Sequence, residues 1–341
     1  MSDCTHVQLL RITQAEGGFS IHYGSRLRNI ADGLPRPSSQ CPSALALMGR
    51  RDKRNIIRKI YPESRISNHR QHGIANVVLD PNTIGHDYPL LIVDCSWSDT
   101  ERQHSHAAEE KCHGISNYPI QWPARSSSPQ WTDLVKFVHV KLLFLFIDVL
   151  CIFSEDYDGL PGVAAQLASW ASVGSASTLP RSTRPRVVVV TRVDEQIFGS
   201  LASLYRSELL AISRFSELFS SLEVVNTVGT TRLLLTAVKD TLDQELQGAR
   251  SNRIETYTLF SAIHLATLFE SALRKISQSP DNKFHFIQSS RHYTPVAQEF
   301  KHHLRAFMGL CVEHRVPRTA ALSYVASTIL LDSFPPDVHS E

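Results

Sequence analysis

No sign of charge dominates this chain: 35 Lys and Arg against 33 Asp and Glu leave a formal net charge of +2. A nucleic-acid binder needs a basic stripe, and a single-strand binder also needs aromatics interleaved with its cations; neither is present. Long apolar runs are scarce too. The longest, Leu134–Phe153, is interrupted by Lys136, His139, Lys141 and Asp148, and its clean parts fall short of the roughly 20 apolar residues that span a bilayer. The start, MSDCTHVQLLRIT, lacks the basic-then-apolar layout of a signal peptide. A disulfide framework is missing as well. Six cysteines (Cys4, Cys41, Cys95, Cys112, Cys151, Cys311) follow no repeating spacing, and Cys95 and Cys151 fall inside apolar strand-like runs, the pattern of reduced, buried thiols. There is no internal repeat and no sustained heptad run. These absences exclude a membrane span, a disulfide scaffold and a nucleic-acid partner. They leave a cytoplasmic protein as the expectation.

What is present is an ordinary globular composition, 42% hydrophobic and 20% charged over 341 residues, enough for one large or two ordinary domains. The chain is organised around Leu142–Glu195. LLFLFIDVLCIF is followed by a helix-like piece, LPGVAAQLASWASVGSAS, and then by RPRVVVVTRVDE. Four consecutive valines after a Pro-Arg break are too β-branched for a helix and too apolar on both faces for a half-exposed strand. Strand, helix and strand in that order form a βαβ unit. Thr191, Arg192 and Asp194 then lie at the carboxyl edge of a central strand, where open α/β sheets bind ligands. An acidic stretch, SEDYDG (Ser154–Gly159), lies at the carboxyl edge of the preceding strand.

PSALALMG (Pro42–Gly49) reads as a buried strand with Gly at its tip, and RRDKRNIIRKIYP (Arg50–Pro62) as a basic loop and amphipathic helix closed by Pro62. Strand, Gly and helix is the position of a phosphate-binding loop. Laid from Gly49, the pattern G-x-x-x-x-G-K-[ST] puts its second Gly on Arg54, its Lys on Asn55 and its hydroxyl residue on Ile56. Three of the four functional positions fail, so the backbone lacks its second Gly and magnesium its side-chain oxygen. Lys53 and Arg54 are basic but out of register.

Two further strands, GIANVVLDPNT and YPLLIVDCSW, flank a turn around Gly85-His86-Asp87. The second carries Asp94, either a metal-associated aspartate or a polar strand end facing solvent. HSHAAEEKCH (His104–His113) holds metal-ligand residue types, but no C-x-x-C or H-x-x-x-H spacing pairs them, and a solvated loop is the plainer reading. The remaining periodicities predict a helix over Leu201–Ser213, a last strand over Leu222–Gly229, a helix over Thr231–Arg250 and another over Thr256–Ile276. The expected organisation is a lead-in over 1–40 with two short strands, an α/β domain over 41–250 and a helical segment over 251–341. The expected fold is a mostly parallel, P-loop NTPase-like sheet flanked by helices and followed by an all-helical segment.

Thr191-Arg192-Val193-Asp194 resembles the guanine-reading motif [NT]-[KR]-x-D of P-loop GTPases. That resemblance implies that Asp194 accepts hydrogen bonds from the base while Arg192 covers its ring. The order of elements resembles a P-loop GTPase-type domain with its nucleotide chemistry eroded. More narrowly, PSALALMGRRDKRNIIRKIYPE, KLLFLFIDVLCIF, RPRVVVVTRVDE and SYVASTILLDSFPPDVH are similar to the part preceding the catalytic domain in large fungal multidomain proteins with a patatin-like, lysophospholipase-type domain. The resemblance spans Pro42 to His339. That family's lipolytic machinery requires a G-x-S-x-G elbow, a glycine-rich oxyanion loop and a D-G-[GA] aspartate, all missing here. The stop at DVHSE suggests a fragment of a longer protein.

The resulting expectation is a GTPase-like regulatory or interaction module, non-catalytic or weakly nucleotide-binding, docking other domains or protein partners. GTP with Mg2+ is its implied ligand, held by Gly49, Lys53, Arg54, Asp94, Thr191, Arg192 and Asp194. Two alternatives stay open. One is a GTP hydrolase in which Lys53 or Arg54 replaces the missing lysine; the other is a purely structural adaptor.

Overall fold

The computed structural model describes residues 7–15, 18–64, 75–95, 115–121, 130–192, 215–227, 231–286, 289 and 299–333. Among these, nine strands form one sheet. β1 (Gln8–Ala15) and β2 (Gly18–Gly24) are antiparallel neighbours. β3 (Ser43–Met48), β4 (Ala75–Leu79), β5 (Leu90–Cys95) and β6 (Ile115–Pro119) follow. β7 (Val149–Phe153), β8 (Arg186–Thr191) and β9 (Ser221–Asn226) complete the set. The spatial order is β6-β2-β1-β4-β5-β3-β7-β8-β9.

The sheet is mixed, which corrects the expectation of a mostly parallel one. From β5 through β3, β7, β8 to β9 every pairing is parallel. From β5 through β4, β1, β2 to β6 every pairing is antiparallel. Connection length accounts for two of these antiparallel pairings, β4 with β5 and β1 with β2. A parallel crossover needs a dozen or more residues, and both Leu79–Leu90 and Ala15–Gly18 are too short for one. The N-terminal hairpin also pairs with β4, which extends the sheet beyond its parallel half.

Burial follows the pairing. β3, β5 and β7 are buried along their whole length, and β8 from its second residue onward, as expected of strands covered on both faces. α2 (Arg51–Ile60) and α6 (Thr231–Glu255) cover one face, where Ile56, Ile57, Ile60, Val238, Leu242 and Leu246 pack on Leu45, Leu47, Cys151 and Val188. Leu150, Ile152, Val187 and Val189, of opposite parity, are buried away from that cluster. α3 (Trp131–Lys141) and α4 (Leu160–Val173) bring His139 and Trp170 around Phe144, with Trp170 edge-on to Phe144 at 5.2 Å. A short α5 (Phe215–Leu218) adds Phe215, packed on Phe219.

α1 (Arg26–Asp32) packs on α7 (Ala262–Gln278), linked by a bidentate Arg28–Glu270 pair at 3.1 and 2.8 Å. α7 starts later than its periodicity predicts. α6 runs on to Glu255, the chain reverses with Tyr257 at φ 53°, and Ser261 precedes the new helix. The amide of Thr258 bonds back to the Arg253 carbonyl at 2.8 Å, so Thr256–Phe260 cannot continue a helix. At the amino edge of the parallel strands, Arg253 pairs with Asp148 at 2.5 Å, and Asp148 also accepts the Ala44 N–H at 2.7 Å. α6 is thereby anchored beneath β3 and β7.

Contacts divide the chain into Met1–Phe284 and His285–Glu341. In the second unit α8 (Phe300–Glu313) and α9 (Arg318–Ser333) form a helical hairpin in which Phe307 stacks on Tyr324 at 5.1 Å. Its turn has Arg315 at φ 55°, then Pro317. No helix among the described residues is long and apolar enough to cross a membrane.

Candidate functional site

The carboxyl ends of β5, β3, β7 and β8 lie side by side. The chain leaves β3 toward β4 and β5 on one side and later returns to β7 on the other, so the tip of β3 is the topological switch point of the parallel half. Gly49 occupies that tip with φ 145°, a backbone conformation that side chains strongly disfavour. α2 begins two residues later and directs its first amides outward.

Those amides already have an acceptor. β7 pairs with β3 in the register Met48↔Ile152, which places the 3-10 turn Ser154–Tyr157 beside Gly49. The Asp156 carboxylate accepts N–H bonds from Arg50 (2.6 Å), Arg51 (3.0 Å), Asp52 (3.3 Å) and Lys53 (3.3 Å). A Cβ at position 49 would stand 2.5 Å from Asp156 Oδ2. The glycine therefore admits a side-chain carboxylate of the protein itself.

Lys53 is committed elsewhere. It is the first member of the inner stripe of α2, ahead of Ile56, Ile57 and Ile60, and is buried with them. Leu90, Ile92 and Asp94 share one face of β5 by alternation, the face that α2 covers. Lys53 Nζ therefore meets the Asp94 carboxylate and donates to the Cys95 carbonyl at 2.9 Å. The lysine and aspartate side chains are 4% and 5% exposed. Of the two readings of Asp94, a solvent-facing strand end is thus ruled out.

The other expected residues separate. Arg54 is exposed on α2. Thr191 is buried, and its carbonyl accepts both the N–H (2.7 Å) and the hydroxyl (3.0 Å) of Thr227. The Arg192 guanidinium pairs with Asp52 at 2.9 Å, while its backbone N–H donates to Glu155 at 3.3 Å. Burial raises the Asp52 carboxyl above its ordinary range; Arg192 opposes this, and Asp156 and Glu155 add to it. Asp194, the helix expected over Leu201–Ser213 and the cluster His104–His113 lie outside the described residues.

A nucleotide with Mg2+ does not fit these residues. At the position of the magnesium hydroxyl stands Ile56, which is buried in the core, and Asn55, at the lysine position, is exposed. Lys53, buried beside the loop, pairs with Asp94, and the amide cradle holds Asp156. The two strand thiols are not activated: burial pushes Cys95 up to about 12 and raises Cys151 further. The residues missed from sequence are Asp156, Glu155 and Asp52. The available signal was the acidic turn directly after β7, next to the strand that ends in Gly49.

No protein-family profile matches the chain, and no curated protein matches it. Among solved structures, translation elongation factor SelB from Methanococcus maripaludis, in its apo form, is similar over 60% of this chain and 33% of its own, at 10% identity and a TM-score of 0.29. This chain thus spans about a third of that one, and the superposition is too loose to carry any residue across.

Proposed function

We propose that the chain is a GTPase-like module that turns over no nucleotide and serves as a regulatory or interaction domain, part of a larger multidomain protein of the patatin-associated kind. The observation that carries this reading is the occupancy of the loop after β3. Four amides at the start of α2 bind Asp156, and Lys53 is spent on Asp94. A phosphate would have to displace a carboxylate held by charge-assisted hydrogen bonds and would then lie close to Glu155 and Asp52. The order of the parallel strands, the glycine at the switch point and the helix after it support the GTPase-like part of the reading. Its surfaces, not turnover, are its function.

A thermal-shift titration with GTP, GDP and ATP, with and without Mg2+, tests this. A ligand that binds only the folded chain stabilises it by about 2.7 kcal/mol at a hundred times its dissociation constant. The expected result is a flat midpoint at millimolar nucleotide and no phosphate release. A guanine-selective shift that vanishes in Asp194→Ala overturns the proposal in favour of a working base site.

A further inference from the structure

We infer that the Ser154–Tyr157 turn is a built-in lock joining the loop after β3 to the end of β8, with Asp156 standing where an anionic ligand would stand and Glu155 holding Arg192. The inference rests on the reading that no nucleotide is turned over here. It adds what keeps the two loops in place without one.

Two consecutive carboxylates on one short turn reach in two directions. Asp156 takes the amides of Arg50, Arg51, Asp52 and Lys53, and Glu155 takes the Arg192 N–H at 3.3 Å. The Asp52–Arg192 pair at 2.9 Å closes the ring, so loop, turn and strand end are joined on all three sides. The turn itself cannot drift. Ser154 is fully buried, its carbonyl accepts the Gly159 N–H at 3.0 Å, and Asp158 reverses the chain at φ 58°. α4 presses on it so closely that a Cβ at Gly162 would collide with the Tyr157 carbonyl. A helix cap alone would need only the first of these contacts. The second carboxylate makes the turn a bridge from the loop after β3 to the end of β8, across the end of β7 that lies between them.

The test is amide hydrogen exchange on the full chain without nucleotide, comparing the native protein with Asp156→Ala. Loss of hydrogen bonds to a charged acceptor is expected to speed exchange by about tenfold or more at Arg50–Lys53 and also at Arg192, with β7 and β8 still protected. Faster exchange confined to Arg50–Lys53 reduces Asp156 to a helix cap and overturns the lock; so does unchanged exchange. If the alanine variant does not fold, Asp156→Asn decides. It keeps the shape and one acceptor oxygen, and a smaller loosening at both places supports the lock, whereas none overturns it. The nucleotide reading fails by a different signal, a guanine-selective shift of the native protein, whatever the exchange shows.

Discussion

The Lys53 ammonium and the Asp94 carboxylate meet from two elements, the first turn of α2 and the end of β5, and each side chain is almost wholly withdrawn from water. Burying two charges is costly, and such a pair adds little to stability over apolar residues of the same size. What it does is make either partner indispensable to the other. Lys53→Met is expected to cost about 3–5 kcal/mol, because the Asp94 carboxylate then stays buried without the lysine's charge. The double change Lys53→Met with Asp94→Leu is expected to recover most of that loss. Urea unfolding of the two variants beside the native protein checks both statements. A double variant no better than the single one would show that the two residues do not act as a pair.

His139 makes stability depend on pH. It is fully buried among Phe144 and Trp170, and burial lowers its ring to about 4 from an ordinary value near 6.5. The folded-state value lies below the unfolded one, so the unfolded chain takes up the proton first. This contribution is complete above pH 6.5, declines as the pH falls from 6.5 toward 4, and is lost below that. The full span corresponds to about 3 kcal/mol as an upper bound. Unfolding midpoints across that range should fall more steeply for the native protein than for His139→Leu. Parallel curves would contradict it.

Gly162 has no room for a side chain. A Cβ there would enter the Tyr157 carbonyl, so α4 and the acidic turn must separate to admit one. Gly162→Ala, which in an exposed helix would stabilise, is expected here to destabilise by about 1–3 kcal/mol, the usual cost of overpacking. Denaturant midpoints give the sign directly. A stabilised variant would mean that the turn yields easily, against the rigidity argued for it.

Much of the sheet was legible in the chain. β3, β7 and β8 announce themselves by unbroken apolar runs, because a strand covered on both faces has no polar alternation. The inert thiols of Cys95 and Cys151 follow from the same runs. Less legible was the antiparallel half. Its strands look like a lead-in and a local hairpin, although the short connector from Leu79 to Leu90 already forbids a parallel return.

The candidate site divides along a physical line. Helical and strand periodicity act over a few residues, so the sequence alone determined that Gly49 ends a strand, that an amphipathic helix follows it, and that an acidic turn follows β7. Which charge meets which is a matter of strand order and register across separations of 41 to 140 residues. Only the tertiary structure decided that Asp156, not a ligand, fills the amides of Arg50–Lys53, because it alone sets β7 beside β3 with Ile152 opposite Met48. It alone also put Asp94 beneath Lys53, since a charge in the interior keeps its form only against a partner that packing brings to it.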